Sequence, residues 1–115
     1  MSTYTYQEAT PKQIVGSGGA GRIKTSFKKL LATFGSPKVV ESFDKKVRVQ
    51  WAFKVDRQEA GAKVGTLIVT IYDYKDDNKL EKVTDWHIGG KGNAKEIVNW
   101  VCEKLDLDPK ESARI

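Results

Sequence analysis

The chain of 115 residues contains one cysteine, one histidine and three prolines, and it has no long apolar run. A single cysteine, Cys102, cannot form an internal disulfide, so we expect a domain held together by packing in a reducing compartment. No run approaches the roughly 18 apolar residues of a membrane span. Residues 1–12 show neither the basic nor the apolar region of a secretory signal. These absences predict a soluble, non-secreted protein with no membrane partner.

The scarcity of histidine and cysteine also limits the metal sites and catalytic groups that the chain can form. His87 and Cys102 are 15 residues apart, on different predicted elements, and do not supply the three or four ligands of a zinc site. Catalysis by His87 would need a partner group, and Asp85, two residues earlier, shares its predicted strand face. The alternative is a structural or surface histidine, and Cys102 fits core packing. The sequence favours a non-enzymatic protein with no catalytic residues, no metal and no cofactor.

Charge is abundant but unevenly distributed. The formal net charge is +5. Residues 1–63 contain 12 Lys or Arg and 5 Asp or Glu, a net charge of +7, whereas residues 64–115 contain 8 and 10, a net charge of −2. A basic half indicates an anionic partner such as nucleic acid or a nucleotide. The alternative is that the charged residues only keep a small domain in solution.

Periodicity predicts two helices. The first is capped by Thr25 or Ser26 and stops at Gly35, a glycine followed by Ser36-Pro37. The second begins after Asn93, with Glu96 as the reciprocal partner of a capping box, and ends at residues 108–109. Each helix has an apolar stripe. The two stripes consist of Phe27, Leu30, Leu31 and Phe34, and of Ala94, Ile97, Val98, Val101 and Leu105.

Between the helices the sequence predicts three strands. Apolar residues alternate with polar or basic ones over residues 46–55, which predicts one buried face and one wet, basic face. Residues 56–63 are polar and contain Gly61, which is typical of a hairpin loop. Residues 64–74 are apolar on both faces and predict a central strand. Residues 83–88 form a third strand that the glycines at 89, 90 and 92 interrupt.

The predicted fold is a single α+β domain over residues 1–115. Its order, α-β-β-β-α, gives a two-layer sandwich in which two helices cover a three- to four-stranded antiparallel meander. Residues 1–12 form an edge strand or a loose arm, and residues 109–115 a frayed tail. The same order resembles a double-stranded-RNA-binding domain. That resemblance concerns topology alone, because the clustered lysines that such domains place at their last helix are absent here.

Two glycine-rich stretches invite a phosphate-binding interpretation. Residues 16–21 match G-x-G-x-x-G, a dinucleotide motif when it joins a strand to a helix. The preceding strand would be short and no further parallel strands follow, so a glycine turn or mobile loop is favoured, which could still close over a ligand. Residues 89–93 place backbone amides and Lys91 at a helix N-terminus, where anions bind, or they form a simple turn. Seven residues are candidate ligand-binding residues: Arg22, Lys24, Arg48, Lys54, His87, Lys91 and Lys95.

Residues 65–75, GTLIVTIYDYK, and 84–91, TDWHIGGK, resemble a group of small uncharacterised proteins of bacteriophages and large DNA viruses. Residues 21–27 and 34–37, together with Lys46, Val47 and Trp51, extend the resemblance over roughly residues 20–100. Residues 56–63 depart from it. The resemblance implies a viral or mobile-element origin, in the host cytoplasm or a virion, and implies no activity. We therefore expect a binding module for nucleic acid or a nucleotide, or alternatively a viral factor that binds a host or virion protein.

Overall fold

The computed structural model describes residues 2–40, 46–108 and 113–114. Within them, seven strands, three α-helices and a short 3-10 helix form an α+β fold on an antiparallel sheet, which confirms the predicted class. The elements are β1 (Ser2–Glu8), α1 (Pro11–Ile14), β2 (Gly18–Lys24), α2 (Phe27–Phe34), β3 (Lys38–Val39), β4 (Val49–Glu59), β5 (Ala62–Tyr72), the 3-10 helix (Leu80–Lys82), β6 (Asp85–Lys91), α3 (Ala94–Leu105) and β7 (Ala113–Arg114).

The strands lie in the order β1-β4-β5-β6-β2-β7, and β3 pairs with β4 beside the end of β1. The three predicted strands do form an antiparallel meander, β4-β5-β6. The predicted strand count and the α-β-β-β-α order are wrong, because β1, β2, β3 and β7 also belong to the sheet. With that order the resemblance to a double-stranded-RNA-binding domain does not hold. The first alternative for residues 1–12 is correct, since β1 is an edge strand that pairs with β4.

One face of the sheet carries the core. The alternation in β4 is confirmed, since Val49, Trp51, Phe53 and Val55 are buried. Their partners on β5 bring Leu67, Val69 and Ile71 to the same face, where α2 and α3 pack. We call this the inner face. The central position of β5 is also confirmed, because it pairs with β4 on one side and with β6 on the other.

The chain between β1 and β2 crosses the other face of the sheet, which we call the outer face. β1 lies beside β4 and β2 lies beside β6, so the connection that contains α1 has to pass over β5. Ile14 of α1 accordingly lines a cavity with Thr70 and Tyr72, whose side chains alternate with the core residues of β5. This crossing segment explains why Thr70 is only 2% exposed.

The predicted loop over residues 56–63 is wrong, because the hairpin of β4 and β5 turns over two residues. β4 runs to Glu59, β5 begins at Ala62, and Ala60 and Gly61 form the turn. Both turn residues have positive φ, 51° and 80°. Positive φ at both central positions is what a two-residue hairpin turn of type I′ requires, and glycine supplies it without strain.

Most of both glycine stretches lies in strands and not in the predicted turns or loop: residues 18–21 belong to β2 and residues 89–91 to β6, whereas Gly16, Ser17 and Gly92 lie outside the strands. Gly18 pairs with Gly90 and Gly19 with Gly89, so β6 continues through Lys91 instead of stopping at residue 88. A Cβ atom on Gly89 would lie 2.6 Å from the carbonyl oxygen of Gly18 and 3.0 Å from Oγ1 of Thr70. Glycine is needed here because backbone approaches backbone closely.

The predicted N-caps of α2 and α3 are confirmed at Ser26 and Asn93. The side chain of Ser26 accepts a hydrogen bond from the Lys29 amide, and that of Asn93 accepts one from the Glu96 amide. The carboxylate of Glu96 is engaged with Tyr4 and Arg57 on the sheet, which the predicted capping box did not anticipate.

The C-terminal boundary differs from the prediction. α3 ends at Leu105, before the predicted residues 108–109, with Asp106 in a left-handed conformation. Ala113–Arg114 pair with β2 instead of fraying. The rest of the predicted tail, and residues 41–45 of the connection before β4, lie outside the described residues. Across the described ranges, no helix combines the length and apolar character needed to cross a membrane.

Candidate functional site

The outer face of the sheet assembles aromatic and basic side chains from three adjacent strands. Tyr72 of β5 lies opposite His87 of β6, and His87 lies opposite Arg22 of β2. One step further along the same face, Lys24 lies opposite Asp85. Tyr74, two residues after Tyr72, completes the group. The register of three strands thus gathers residues that are far apart in the sequence.

Three rings form a contiguous aromatic patch, which we define as Tyr72, Tyr74 and His87. The Tyr72 and His87 rings are nearly parallel, with 5.7 Å between centroids and 23° between planes. Tyr74 contacts His87 edge to face at 5.2 Å. Tyr74 is 37% exposed, while the other two rings are half-buried. The patch is therefore held in place by packing yet open to a ligand.

Cations border the aromatic patch on two sides. Arg22 and Lys24 lie on β2, and both are exposed. On the other side, Nζ of Lys75 lies 5.4 Å from the centroid of the Tyr74 ring, within the range of a cation–π contact. We call Arg22, Lys24 and Lys75 the basic border. The combination presents flat rings in the centre and mobile positive charge around them.

The surroundings of His87 favour its neutral form. Burial lowers the pKa of His87 below its ordinary value of 6.5, Asp85 raises this pKa in part, and Arg22 lowers it again. Asp85 lies 3.7 Å from Arg22 in an ion pair whose side chains are each about half exposed, at 45% and 48%. An exposed pair of this kind is weak, so Arg22 can exchange the carboxylate for another anion. The predicted proximity of Asp85 and His87 on one face is confirmed.

Lys54 and Lys91 lie on the same outer face but across the crossing segment from the aromatic patch. Both are register partners of Ile68, one from each side. A Cβ atom on Gly16 would lie 3.7 Å from Cε of Lys91, so this lysine borders the crossing segment. In the predicted anion site at residues 89–93, Gly89 and Gly90 belong to paired strands and not to a loose turn, so anion binding there stays a prediction for the start of α3.

Arg48 belongs to the fold and not to an open site. Its Nε atom donates to Oδ2 of Asp73 at 2.6 Å, and Nη1 donates to the carbonyl oxygen of Asn78 at 2.7 Å. Asp73 is fully buried and also accepts hydrogen bonds from the amides of Arg48 and Val49. A buried carboxylate needs these donors, so Nε and Nη1 of Arg48 are already engaged, while its buried Nη2 has no hydrogen-bond partner among the described residues. The prediction that Arg48 binds a ligand is therefore not supported by its surroundings.

Lys95 lies in the helical layer, away from the outer face. It lines a shallow groove of about 350 Å³ together with Tyr4, Arg57, Glu96 and other side chains of α3. Glu96 accepts a hydrogen bond from Tyr4 and forms an ion pair with Arg57. Burial of Tyr4 and the neighbouring carboxylate of Glu96 both raise the pKa of Tyr4. Carboxylates share this groove with the cations, so it does not favour an anion.

Metal and thiol chemistry have little support in the described residues. These residues contain no group of three or more His, Cys, Asp or Glu side chains that could hold a metal ion. Cys102 is fully buried, and burial raises the pKa of its thiol. The prediction that Cys102 is a core residue is confirmed.

The tyrosines of the patch were missed as candidate site residues. The signal was present, because Tyr72 and Tyr74 alternate with the core residues of the central strand and so face the other side. The sequence assigned both faces of that strand to burial. Comparison with protein-family models, with curated proteins and with solved structures finds no match for this chain. The aromatic patch is therefore the basis for assigning a function.

Proposed function

We propose that the protein is a small, non-enzymatic module that binds single-stranded nucleic acid on the outer face of its sheet. The observation that carries this proposal is the aromatic patch with its basic border, gathered from three adjacent strands. The viral origin, with the host cytoplasm or a virion as the place of action, rests on the resemblance of residues 65–75 and 84–91 and stays a prediction.

Stacking supports the single-stranded form of the ligand. Unpaired bases stack on exposed aromatic side chains, and each such contact contributes roughly 1–3 kcal/mol to binding. The exposed ring of Tyr74, with Tyr72 and His87 beside it, offers such a platform on a sheet. A duplex hides its bases within the stack and would use only the cations.

Phosphate contacts supply the second part of the affinity. Arg22 and Lys24 are alternate residues of β2. Their side chains therefore lie on the same face, separated by one repeat of the strand. A backbone that follows β2 can therefore contact both cations while its bases point toward the rings. Asp85 opposes this arrangement in part, because its carboxylate already pairs with Arg22.

The direct test is the binding of labelled single-stranded decamers and of matched duplexes at two salt concentrations, about 50 and 200 mM. We expect micromolar or tighter binding to the single strands, weaker binding to the duplexes, and a clear decrease in affinity with salt. The absence of single-strand binding at the lower salt concentration would overturn the proposal.

Two pairs of substitutions locate the site within the same assay. Lys24→Ala should reduce the slope of log K against log salt by about 0.7, the contribution of one phosphate contact on a single strand. Lys95→Ala removes the same charge from the helical layer and should leave the slope unchanged. Tyr74→Ala should weaken binding roughly tenfold, whereas Tyr74→Phe keeps the ring and most of the affinity. Equal effects of the two lysine substitutions would contradict the proposed surface.

A different observation favours a protein partner as the second candidate function. An apolar cavity of about 570 Å³ lies between β1 and β3 at the edge of β4, lined by Pro11, Phe34 and Trp51 among others. Val39 at its rim is 80% exposed. An apolar cavity that is open at the surface can receive an apolar side chain of a protein partner. If no nucleic acid binds, capture of a host or virion protein by the wild type but not by Val39→Asp would support this alternative.

A further inference from the structure

A second feature of the outer face lies next to the aromatic patch. A cavity of about 320 Å³ opens between the crossing segment and the sheet, and Tyr72 forms part of its wall. Its lining also includes residues 16–19, Ile14, Val47, Gln50 and Thr70. This volume is at the lower end of the range of about 300–1,000 Å³ for ligand pockets, so it suits one small ring system.

A glycine keeps this cavity open. A Cβ atom placed on Gly19 would meet no other atom within 4 Å. Gly19 pairs with Gly89, whose missing Cβ points toward Thr70, so a side chain on Gly19 would grow from the outer face. The space is therefore present because this residue of β2 lacks a side chain.

The polar groups of the cavity match the edge of a base. The Gln50 side chain offers a carbonyl acceptor and an amide donor, and the Thr70 hydroxyl offers both functions. Adenine presents an amino donor beside a ring acceptor, the arrangement to which a glutamine amide pairs in a bidentate manner. The Tyr72 ring provides an aromatic wall for the base.

We infer that this cavity holds one base of the bound strand and selects adenine through Gln50. The bases before or after it stack on Tyr74 and His87, and the phosphates lie along Arg22 and Lys24. This inference rests on the proposed function, because the strand has to bind the aromatic patch before one of its bases can enter the cavity.

The test compares three labelled single-stranded DNA decamers, of deoxyadenylate, deoxycytidylate and thymidylate, by fluorescence anisotropy with the wild-type protein. We expect the deoxyadenylate decamer to bind about tenfold more tightly than the thymidylate decamer, the discrimination of one bidentate pair. A thymidylate decamer with one central deoxyadenylate should recover most of this difference, because the cavity takes a single base.

Variants then assign the preference to the cavity. Gln50→Leu removes the amide and keeps most of the volume, and Gly19→Leu fills the space; both should abolish the preference for adenine while retaining salt-dependent binding. Gly65→Leu is the matched control, because Gly65 lies on β5 away from the cavity and an added Cβ atom there also meets no atom within 4 Å. Circular dichroism shows whether each variant is folded.

The outcomes separate this inference from the proposed function. If none of the decamers binds, both fall. If all three bind equally, or if the preference persists in folded Gly19→Leu, the base site is overturned while the binding surface stands. A preference for another base that Gly19→Leu abolishes would keep the cavity as the base site and overturn the assignment of adenine. The single-deoxyadenylate decamer decides the question in the wild type even if a variant does not fold.

Discussion

His87 and Arg48 both looked like ligand-binding residues, and their surroundings separate them. Arg48 is bound to the buried Asp73, 25 positions away in the sequence. His87 lies on an open face between Tyr72 and Arg22. Both residue types can form hydrogen bonds and carry a charge. For Arg48 the bonding partner is another residue of the fold, whereas for His87 a ligand would have to supply it.

The lowered pKa of His87 makes a prediction for stability. The unfolded chain takes up a proton near pH 6.5, whereas folded His87 resists protonation until a lower pH. Its contribution to stability is therefore full above about pH 7 and is lost as the pH falls through the folded pKa. We expect urea unfolding to show a smaller decrease in stability on acidification for His87→Gln than for the wild type. Parallel curves for the two proteins between pH 7.5 and 5 would contradict the assigned burial.

At the scale of elements, the pairing of β2 with β6 explains both glycine stretches. Four glycines face one another in the ladder, Gly18 with Gly90 and Gly19 with Gly89. Each stretch alone is typical of a turn, because glycine weakens a strand. Together they let the backbones of β2, β5 and β6 approach one another closely, and Gly19 leaves the cavity beside Tyr72 open. Their common explanation is visible only once the two strands are paired.

Gly90→Ala tests this explanation. Gly90 has a φ of 142°, and a Cβ atom there would overlap the carbonyl oxygen of Ile68 in the neighbouring strand. We expect a loss of more than about 3 kcal/mol in the free energy of unfolding, since both backbone strain and the ladder are affected. Gly19→Ala is the control, because its Cβ atom has open space and its φ is not positive; its change should stay within about 1 kcal/mol. Similar losses in the two variants would refute the close-approach argument.

At the scale of the whole molecule, the proposed function assigns separate roles to the two faces of the sheet. The inner face packs against α2 and α3 around a cluster of aromatic rings in which Trp51 contacts Trp86 at 5.6 Å and Phe27 at 6.0 Å. Nε1 of Trp51 donates to the carbonyl oxygen of Gly35 at 2.8 Å, which joins the sheet to the end of α2. The outer face is covered by one crossing segment, which leaves the aromatic patch open. Stability and binding can therefore be altered independently.

Trp51→Ala should show this separation. Trp51 is 3% exposed, so its truncation removes a large buried ring and should lower the free energy of unfolding by about 3–5 kcal/mol. Val39→Ala, at a residue that is 80% exposed, should change it by less than about 0.5 kcal/mol. Denaturant titration followed by circular dichroism measures both. A loss below about 1 kcal/mol for Trp51→Ala would show that the core does not depend on this ring.

The sequence by itself determined the features that depend on neighbouring residues. The apolar stripe of α3, that of α2 except for the exposed Leu31, the caps at Ser26 and Asn93, and the alternation of β4 follow from periodicity and from hydrogen bonds three residues apart. These interactions are local, so a single segment is enough to recognise them. The α+β class and the burial of Cys102 follow from the same patterns.

Only the tertiary structure decided which strands are neighbours, and with that the candidate site. The same glycines are a turn or a strand depending on a partner about 70 residues away, and no local pattern encodes that partner. Of the seven predicted site residues, the register gathers Arg22, Lys24 and His87 beside Tyr72. Arg48 is committed to the fold and Lys95 lies in the other layer. Pairing between distant strands is set by the combined burial of a whole face, which no single segment carries.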